Sequence, residues 1–455
     1  MNYESLKNDS DIRWSELSNG NIPWIRVSDA MCCGSSLGSE EIVEAIKNFG
    51  KKNNISLNID TVGCHGICYA GTIIDVLIKD KPRIFWGYVT IENVEKIIDS
   101  YIYKNKIIKN NLLGSLGDQT IKGVPNFSDL PGIQYQNRIA LRNSGNIAFN
   151  DIHQYIANGG FSGLNKALSS MSSEEVINEV KNSGLRGRGG AAFPTGVKWS
   201  FMANSKGKKY ILCNCEEGDP GAFNDKGILE SDPFTLIEGM IIAGFATNST
   251  NGYVFIRHGH EGPIVRTEEA IKQAYENGLL GENILESGFS FDIEVSLTGD
   301  SYVAGEETAL MESIEGKSSR PRSRPPFPAA YGVWGKPSTI NNVKSLSYVA
   351  EIIRNGSDWF KSTGTESSSG TAIVCLSGDI SNPGMYEVEM GLSIGDVIEK
   401  LGGGIPNGRK LKMLQTGGPL GGVLGSDSLK VKIDFDEMAK AGAILGSGGI
   451  IVVDD

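Results

Sequence analysis

The residues best suited to bind a charged ligand lie in one short stretch, residues 184–201, which reads GLRGRGGAAFPTGVKWSF. This stretch holds five glycines together with Arg186, Arg188 and Lys198. Glycine lets the backbone adopt positive φ and approach a ligand closely, so that main-chain N–H groups can point at an anion. Arginine and lysine add cationic donors. The stretch therefore predicts a loop that binds a phosphate-bearing ligand, and the alternative is a glycine-rich surface loop with scattered charges.

Four of the seven cysteines form a second chemically suited group. Cys32 and Cys33 lie in the segment MCCGSSLG, and Cys64 and Cys68 lie in GCHGICY. Thiolates are the usual ligands of iron–sulfur clusters, so two such loops facing each other predict a cluster site. The alternative is a set of reduced thiols without a cluster, because adjacent cysteines rarely reach one metal centre together. His65 is expected to be a loop residue rather than a ligand.

Carboxylates and glycines follow two predicted strands, in the segments 214–225 and 299–308. Such groups at strand ends are suited to hold a sugar or a ring. Glu306 and Glu307 also precede a predicted helix, where a negative charge favours the helix N-terminus. Capping is therefore the alternative role for this pair.

Residues 320–342 form a third segment of interest, and their five prolines exclude regular structure. The segment also carries arginines and three large aromatic side chains. A rigid loop of this composition is expected to line a cofactor cleft, and the alternative is a solvated linker.

Alternating strand and helix patterns position these groups. Three β–α units follow one another over residues 210–316, which predicts a parallel, doubly wound sheet of the Rossmann-like type. A serine-capped helix over residues 172–184 leads directly into the glycine stretch. Ligands of such sheets bind at the carboxyl ends of the strands, where the glycine stretch and the carboxylates are expected to meet.

Smaller units are predicted on both sides of this sheet. The order of strands and helices over residues 24–104 fits a thioredoxin-like domain. From about residue 370 the order is ββαβ, which fits a small ubiquitin-like, β-grasp fold. The predicted fold class is therefore α/β with three units.

The overall composition excludes several classes of function. The formal net charge of −11 argues against nucleic acids and anionic membranes as partners. No apolar run reaches the length of a membrane span, and the first residues lack the apolar core of a signal peptide. We therefore expect a cytoplasmic protein without direct membrane insertion.

Six motifs in matching order resemble those of the NADH-binding, FMN-containing subunit shared by respiratory complex I, NAD-reducing and electron-bifurcating hydrogenases, and related formate dehydrogenases. The resemblance covers residues 135–455. The motifs are GLRGRGG (184–190), FPTGVKWSF (193–201), EEGDPGAF (216–223), GEETAL (305–310), RPPFP (324–328) and INNV (340–343).

The resemblance implies a set of cofactor-binding residues. Those implied for FMN are Gly187, Arg188, Gly189, Gly190, Lys198, Asn214, Glu216, Glu217, Tyr302, Gly305, Glu306, Asn341 and Asn342. Those implied for NADH are Phe193, Phe201, Asp219, Glu307, Arg324 and Phe327. Glu307 is expected to bind the adenosine ribose and to disfavour a 2′-phosphate, which implies NADH over NADPH.

The implied activity is that of an NADH:acceptor oxidoreductase, or diaphorase. Hydride passes directly between the nicotinamide and the flavin in this family, so no catalytic acid or base is expected. Electrons then pass singly to iron–sulfur centres of a larger redox complex, whose other subunits are the implied partners. The alternative is a non-catalytic or truncated structural subunit of such a complex.

The resemblance also implies iron–sulfur chemistry in the thioredoxin-like unit. Cys32, Cys64 and Cys68 match the [2Fe–2S] pattern of the hydrogenase-type members, Leu37 stands where a further cysteine is expected, and Cys33 is left as the fourth ligand. The family's C-terminal [4Fe–4S] domain has no counterpart before Asp455, so we expect no [4Fe–4S] cluster on this chain.

The expected domain boundaries follow from these assignments. They are a leader (1–23), a thioredoxin-like [2Fe–2S] domain (24–104), a linker (105–134), an FMN- and NADH-binding domain (135–365), a β-grasp domain of the soluble-ligand-binding type (366–430) and a C-terminal strand segment (431–455).

Overall fold

The computed structural model describes residues 2–30, 35–117, 119–298 and 301–455. The described chain contains three β-sheets, each covered by helices. The fold is α/β, as the sequence predicts, and the three sheets correspond to the thioredoxin-like, Rossmann-like and β-grasp units.

The first sheet has the strand order β2-β1-β3-β4-β5. Strands β1 and β2 are parallel, whereas the other neighbours are antiparallel. Helix α1 (Tyr3–Ser18) precedes this unit. The elements of the unit are β1 (Trp24–Ser28), α2 (Ser39–Asn53), β2 (Asn58–Val62), β3 (Ile74–Leu77), β4 (Arg83–Trp86), α3 (Ile91–Ile102) and β5 (Leu112–Leu116). Helices α2 and α3 bury one apolar face each against this sheet, which gives the thioredoxin-like unit its core.

Two elements differ from the expected boundaries of this unit. Helix α1 occupies the expected leader, and Tyr3 and Leu6 are buried in the core of the central unit rather than exposed. Strand β5 occupies part of the expected linker and pairs with β4 along the edge of the first sheet. The range 105–134 is therefore not only a linker. Strand β5 has little apolar periodicity, so its backbone pairing with β4 is not visible in the sequence.

A buried charge cluster supports the first sheet. Asp75 of β3 accepts hydrogen bonds from Arg26 Nε, at 2.9 Å for the shorter contact, and it also pairs with Arg83. Both Arg26 and Asp75 are buried. Because two cations share one carboxylate inside the protein, removal of that carboxylate would leave both guanidinium groups uncompensated.

The central sheet is fully parallel, in the order β8-β7-β6-β9. Its strands are β6 (Tyr210–Cys215), β7 (Asn251–Arg257), β8 (Asp292–Thr298) and β9 (Ser338–Asn342). Helix α4 (Pro131–Gln134) precedes this unit along the chain and packs against the core of the third sheet. The helices around the central sheet are α5 (Ile152–Ala157), α6 (Ser162–Ser170), α7 (Ser173–Asn182), α8 (Thr195–Ala203), α9 (Asn224–Ser231), α10 (Pro233–Thr247), α11 (Glu261–Glu276), α12 (Glu307–Ile314), α13 (Val343–Ser347), α14 (Val349–Asn355) and α15 (Ser357–Lys361). The three predicted β–α units are confirmed, and β9 adds a fourth strand that the sequence did not predict.

Helix α10 runs through the middle of this unit and begins at a buried carboxyl group. Asp232 accepts a hydrogen bond from Thr235 N, which caps the helix, and another from Asn143 Nδ2 at 2.8 Å. Burial raises the pKa of Asp232 to about 6. The carboxyl is therefore a proton-binding group of the folded state near neutral pH.

The third sheet has the order β11-β10-β14-β12-β13. Its elements are β10 (Thr371–Gly378), β11 (Gly384–Glu389), α16 (Ile394–Asp396), β12 (Leu411–Thr416), β13 (Val423–Gly425), α17 (Phe435–Lys440) and β14 (Gly449–Asp454). Helix α16 is capped by Ser393 and continues as one π-helical turn, Val397–Leu401. The predicted β-grasp order is confirmed.

Strand β14 differs from the expected boundary of the β-grasp unit. It pairs in parallel with β10 and antiparallel with β12, so it lies in the middle of the sheet. The segment 431–455 is therefore part of the β-grasp unit rather than a separate C-terminal strand. Sequence pattern identifies a buried strand, but not the sheet that takes it up.

Candidate cofactor site

The glycine stretch forms a loop whose two ends are tied together. Helix α7 begins at Ser172 with a capping box to Glu175 and delivers the chain to Gly184, which has a φ of +72°. Gly187 N then donates to Phe193 O at 2.9 Å, and Thr195 N donates to Leu185 O at 2.9 Å as α8 begins. Residues 187–193, here called the glycine loop, therefore project from a fixed base.

The glycine loop presents free main-chain groups. Among the described residues, the N–H groups of Gly189, Gly190 and Ala191 donate no close hydrogen bond to a protein acceptor. Gly190 has a φ of +133°, and a Cβ built there meets no atom within 4 Å, so one side of the loop is open. Successive main-chain N–H groups without protein acceptors, next to open space, are suited to bind an anion.

The Arg188 side chain turns away from this open side. Arg188 is buried, and its guanidinium donates to the carbonyl oxygens of Ser369 at 2.7 Å, Arg186 at 2.8 Å and Thr371 at 3.1 Å. Burial lowers the pKa of Arg188. The resemblance implies that Arg188 helps to hold the FMN phosphate and ribityl chain. In the structure its guanidinium is directed toward the start of the β-grasp unit, where the buried carbonyls of Ser369 and Thr371 need a donor.

The end of β6 supplies the floor of the cleft. Asn214 Nδ2 donates to Gly305 O at 2.8 Å, and a Cβ built at Gly305 would lie 3.0 Å from Glu216 Oε2. Glu216 is buried and accepts from Arg257 Nη1 at 2.8 Å and from Gly218 N at 2.9 Å. Burial raises the pKa of Glu216. Two strand-end segments that are distant in sequence are thus locked against each other.

Glu217 lies beside the start of α9 in a left-handed conformation, with a φ of +43°. Its carboxylate accepts from Asp225 N at 2.7 Å and from Lys226 N at 2.8 Å, which binds it to the helix N-terminus. Burial, together with the nearby Asp225 carboxylate, raises the pKa of Glu217 to about 7. Lys344 Nζ lies 3.2 Å from Asp225 Oδ1 and supplies the compensating positive charge.

The paired asparagines at the end of β9 close the floor on the other side. Asn341 Oδ1 accepts from Trp199 Nε1 at 2.9 Å, which ties β9 to α8. Asn342 Nδ2 donates to the Asp225 carboxylate, and its Oδ1 accepts from Lys344 N at 3.1 Å to cap α13. Gly189 packs directly on Asn342, since a Cβ at Gly189 would lie 2.9 Å from Asn342 Cβ.

An ion-pair network spans the mouth of the cleft. Lys198 Nζ donates to Ile340 O at 2.6 Å and to Glu307 Oε2 at 3.1 Å, while Arg324 Nη1 donates to Glu307 Oε1 at 2.6 Å. Glu306 accepts from Thr308 N and Ala309 N at 2.9 Å, so it caps α12. Glu306 therefore caps a helix, which is the alternative role that the sequence suggested for this pair. The Glu307 carboxylate instead pairs with Lys198 and Arg324.

A second polar contact lies at the rim. Tyr302 Oη donates to Asp219 Oδ1 at 2.6 Å, and this hydrogen bond, with burial, raises the pKa of Tyr302 to about 12. Gly418 of the β-grasp unit lies against the Asp219 carboxylate, because a Cβ built there would be 2.5 Å from Asp219 Cγ. The rim is therefore built from two units of the chain.

Exposed aromatic rings stand beside the cleft. Phe193, Phe201 and Phe327 are 47%, 56% and 60% exposed, which is unusual for phenylalanine. The rings of Phe193 and Phe201 are neighbours, with centroids 6.4 Å apart. Trp334, by contrast, packs against Tyr210 at 5.2 Å and anchors the proline-rich segment to the start of β6.

The sequence analysis did not single out Arg257 and Lys344, and it included Asp225 only as one carboxylate of the segment 214–225. Each forms an ion pair with, or lies next to, a residue that was singled out. Arg257 carried a usable signal, since it is a charged residue directly at the carboxyl end of a buried strand. Lys344 carried none, because its partners lie far away along the chain.

Cys64 and Cys68 lie in the thioredoxin-like unit, outside the residues that form this cleft. Cys64 packs against Ala30, and the half-buried Cys68 packs against this pair. Cys32 and Cys33 themselves lie outside the described residues. The described residues contain no group of three His, Cys, Asp or Glu side chains placed to hold a metal ion.

His65 is a core residue, which agrees with its expected lack of a ligand role. The ring packs edge-on against Phe127 at 5.4 Å and Phe85 at 5.7 Å, and a Cβ at Gly145 would lie 2.3 Å from Nδ1. Burial lowers the pKa of His65 well below its usual value.

Comparison with known proteins identifies the family of this fold and cleft. The family described as the Nuo51 FMN-binding domain matches residues 180–351, which include every residue of the cleft floor, and the SLBB domain matches residues 373–424. An NADH-quinone oxidoreductase subunit of Rhizobium meliloti is 46% identical over 302 residues, which are 66% of this chain and 72% of that protein. The chain belongs to the Nuo51 family.

Other relatives share the same Nuo51-type region. The NADP-reducing hydrogenase subunit HndC of Solidesulfovibrio fructosivorans is 49% identical over 321 residues, which are 70% of this chain and 65% of that protein. An NADH-quinone oxidoreductase subunit of Escherichia coli is 40% identical over 305 residues, which are 67% of this chain and 68% of that protein. The chain thus spans about two thirds of the length of these relatives.

A solved structure supports the same fold for the chain. An NAD⁺-reducing [NiFe]-hydrogenase in its H2-reduced state aligns over 99% of this chain and 74% of the hydrogenase chain, with a TM-score of 0.61 and 22% identity. At this identity the match describes the fold alone. Among the described residues, every helix is too short or too polar to cross a bilayer.

Proposed function

We propose that the chain is an FMN-binding, NADH-oxidising subunit of a larger redox complex. The observation that carries this proposal is the convergence of four segments at the carboxyl end of one parallel sheet. These segments are the glycine loop, the end of β6, residues 302–307 and the Asn341–Asn342 pair. They all fall within the range matched by the FMN-binding family.

The residues present fit the phosphate of FMN. The glycine loop offers N–H groups without close protein acceptors, and the open side at Gly190 leaves room for a ligand. Thr195 Oγ1, at the start of α8, is buried and has no hydrogen-bond partner among the described residues. We assign the phosphate to the N–H groups of Gly189 and Gly190 and to Lys198, which would exchange its carboxylate partner for the ligand. Gly187, whose N–H donates to Phe193 O, is assigned to the base of the same phosphate site.

The floor residues are assigned to the flavin ring and its ribityl chain. Asn214, Glu216 and Asn342 are each held by at least one hydrogen bond to the protein, so they are oriented before a ligand arrives. FMN, when bound, accepts a hydride from NADH and releases the electrons one at a time. The chain's part is to bind and orient, and the proposal requires no catalytic acid or base.

The nicotinamide coenzyme is assigned to the outer part of the cleft. Phe193, Phe201 and Phe327 offer exposed ring faces for stacking, and Asp219 is held at the rim by Tyr302. Glu307 would accept hydrogen bonds from a ribose and repel a 2′-phosphate, which favours NADH. Because the relative HndC is described as NADP-reducing, this preference needs a direct measurement.

The thioredoxin-like unit is assigned a [2Fe–2S] cluster. Cys64 and Cys68, which belong to one small cluster, would supply two ligands, and Cys32 with Cys33 would complete the ligand set. Iron–sulfur subunits of the complex are the proposed electron partners. We further propose a cytoplasmic location, which agrees with the free buried thiols of Cys213, Cys215 and Cys375.

The test is direct. The purified chain is incubated with FMN, separated from unbound flavin and mixed anaerobically with NADH, while the visible flavin absorbance is followed. We expect about one FMN per chain and bleaching on addition of NADH. Absence of both would overturn the proposal and favour the alternative of a structural subunit. Iron and acid-labile sulfide, measured on the same sample, test the [2Fe–2S] assignment separately.

A further inference from the structure

The glycine loop is held from behind by the β-grasp unit. Arg188 lies between two aromatic rings, with its guanidinium carbon 5.2 Å from the centroid of Phe435 and 5.5 Å from that of Tyr348. Phe435 is the first residue of α17, in the β-grasp unit, whereas Tyr348 belongs to the central unit. One side chain of the loop therefore connects two units of the fold.

Arg186 contacts the same phenylalanine. Its guanidinium carbon lies 4.8 Å from the Phe435 centroid, and Nη1 donates to Asp436 Oδ1 at 3.0 Å. Arg186 Nε also donates to Ala192 O at 3.0 Å, which braces the far end of the glycine loop. The two arginines and Phe435 are here called the arginine clamp.

The hydrogen bonds of the Arg188 guanidinium all go to the protein main chain. All three acceptors are main-chain carbonyls, and two of them belong to the segment that opens β10, Ser369 and Thr371. The side chain is buried, so no face of it is left for a ligand. Arg188 N, in contrast, donates to Ser345 Oγ at 2.8 Å and fixes the backbone of the loop at the same residue.

We propose that Arg188 is a positioning residue: the arginine clamp fixes the glycine loop on the β-grasp unit so that the main-chain N–H groups of the loop face the phosphate of FMN. This inference rests on the proposed function, and it differs from a direct contact between Arg188 and the phosphate. A planar guanidinium with five donors can satisfy three divergent carbonyls while stacking on a ring, whereas a lysine cannot.

The experiment compares Phe435→Leu and Arg188→Lys with the unchanged chain, in binding of FMN and of riboflavin, which lacks the phosphate. Phe435→Leu keeps both arginines and removes only the ring. We expect both variants to weaken FMN binding by about tenfold, as loss of a buried cation–π contact does, and to leave riboflavin binding within about twofold. Phe127→Leu is the matched control, since Phe127 is a similarly buried phenylalanine outside the clamp, and it should leave both affinities unchanged.

Two results would overturn the inference. If Phe435→Leu binds FMN as tightly as the unchanged chain, the ring does not position the loop. If FMN and riboflavin weaken equally, the clamp acts on the whole fold rather than on the phosphate site.

Hydrogen exchange of the flavin-free protein separates this inference from the proposed function. Peptides covering residues 187–193 should exchange faster in Phe435→Leu than in Phe127→Leu, whether or not the protein binds flavin. Equal exchange would overturn the clamp, while failure of the unchanged chain to bind either flavin would overturn only the proposed function.

Discussion

Substitution of Gly189 by alanine tests the packing between the glycine loop and the cleft floor. The new methyl group would lie 2.9 Å from Asn342 Cβ and 3.4 Å from Asn342 Cγ. Asn342 cannot turn aside freely, because it donates to the Asp225 carboxylate and caps α13 through Lys344 N. The asparagine must therefore retreat by about 0.5 Å or give up its cap.

The expected cost is about 2 kcal/mol, since overpacking costs about 1–3 kcal/mol and loss of an N-cap about 1 kcal/mol. Gly187→Ala is the matched control in the same loop, because its nearest atom is Phe193 O at 3.4 Å, an ordinary contact. That variant should stay within about 0.5 kcal/mol of the unchanged chain.

The assay is hydrogen exchange of the flavin-free protein at the amide of Lys344, which donates to Asn342 Oδ1. We expect a faster exchange by roughly 30-fold in Gly189→Ala if opening of the cap limits exchange, the factor that corresponds to about 2 kcal/mol. The reasoning is refuted if Gly189→Ala and Gly187→Ala exchange alike at this amide.

Three further substitutions test other parts of the structure. Glu307→Gln removes the negative charge from the cleft mouth, so the ratio of kcat/KM for NADH over NADPH should fall about tenfold, whereas Glu312→Gln on the same helix should leave the ratio unchanged. The pKa of Asp232 is raised to about 6, so its proton stabilises the fold at low pH and this contribution is lost as the pH rises through 6. The unchanged chain should therefore lose about 1.4 kcal/mol of unfolding free energy at this site between pH 5 and pH 8, and urea denaturation of Asp232→Asn should lack that loss. Asp75→Asn removes the carboxylate shared by the buried Arg26 and the partly buried Arg83, and it should lower the free energy of unfolding by about 3–5 kcal/mol. The half-exposed Asp99→Asn should cost less than about 1 kcal/mol, and equal urea midpoints for these two variants would contradict the argument.

The elements that sequence predicts well are those whose signal is local. Helix α7 begins at the predicted serine cap and ends just before Gly184, because a capping box and a terminal glycine act within a few residues. Strands β6 and β7 carry continuous apolar runs, which only burial on both faces of a parallel sheet explains.

The elements that sequence misses depend on distant partners. Strand β9 reads Ser-Thr-Ile-Asn-Asn and has no apolar period, yet it pairs with β6 along its full length. The segment forms a strand because β6 would otherwise leave one edge of backbone N–H and C=O groups unpaired, and not because of its own side chains.

The candidate site shows the same division. The glycine loop and the strand-end carboxylates were recognisable by composition, and the structure brings Gly189, Glu216, Gly305 and Asn342 together. The direction of the Arg188 side chain was not recognisable, because Phe435 and the carbonyls of β10 meet it only after two units have packed.

The place of β14 in the middle of the β-grasp sheet has a consequence for biosynthesis. Strand β10 finds its parallel neighbour only when residues 449–454 have left the ribosome. Helix α17, which carries Phe435, precedes that strand and packs in the same core. The glycine loop is synthesised before the unit that packs behind it. If the proposed clamp positions the loop, we expect FMN binding at full affinity only after the polypeptide is complete through β14.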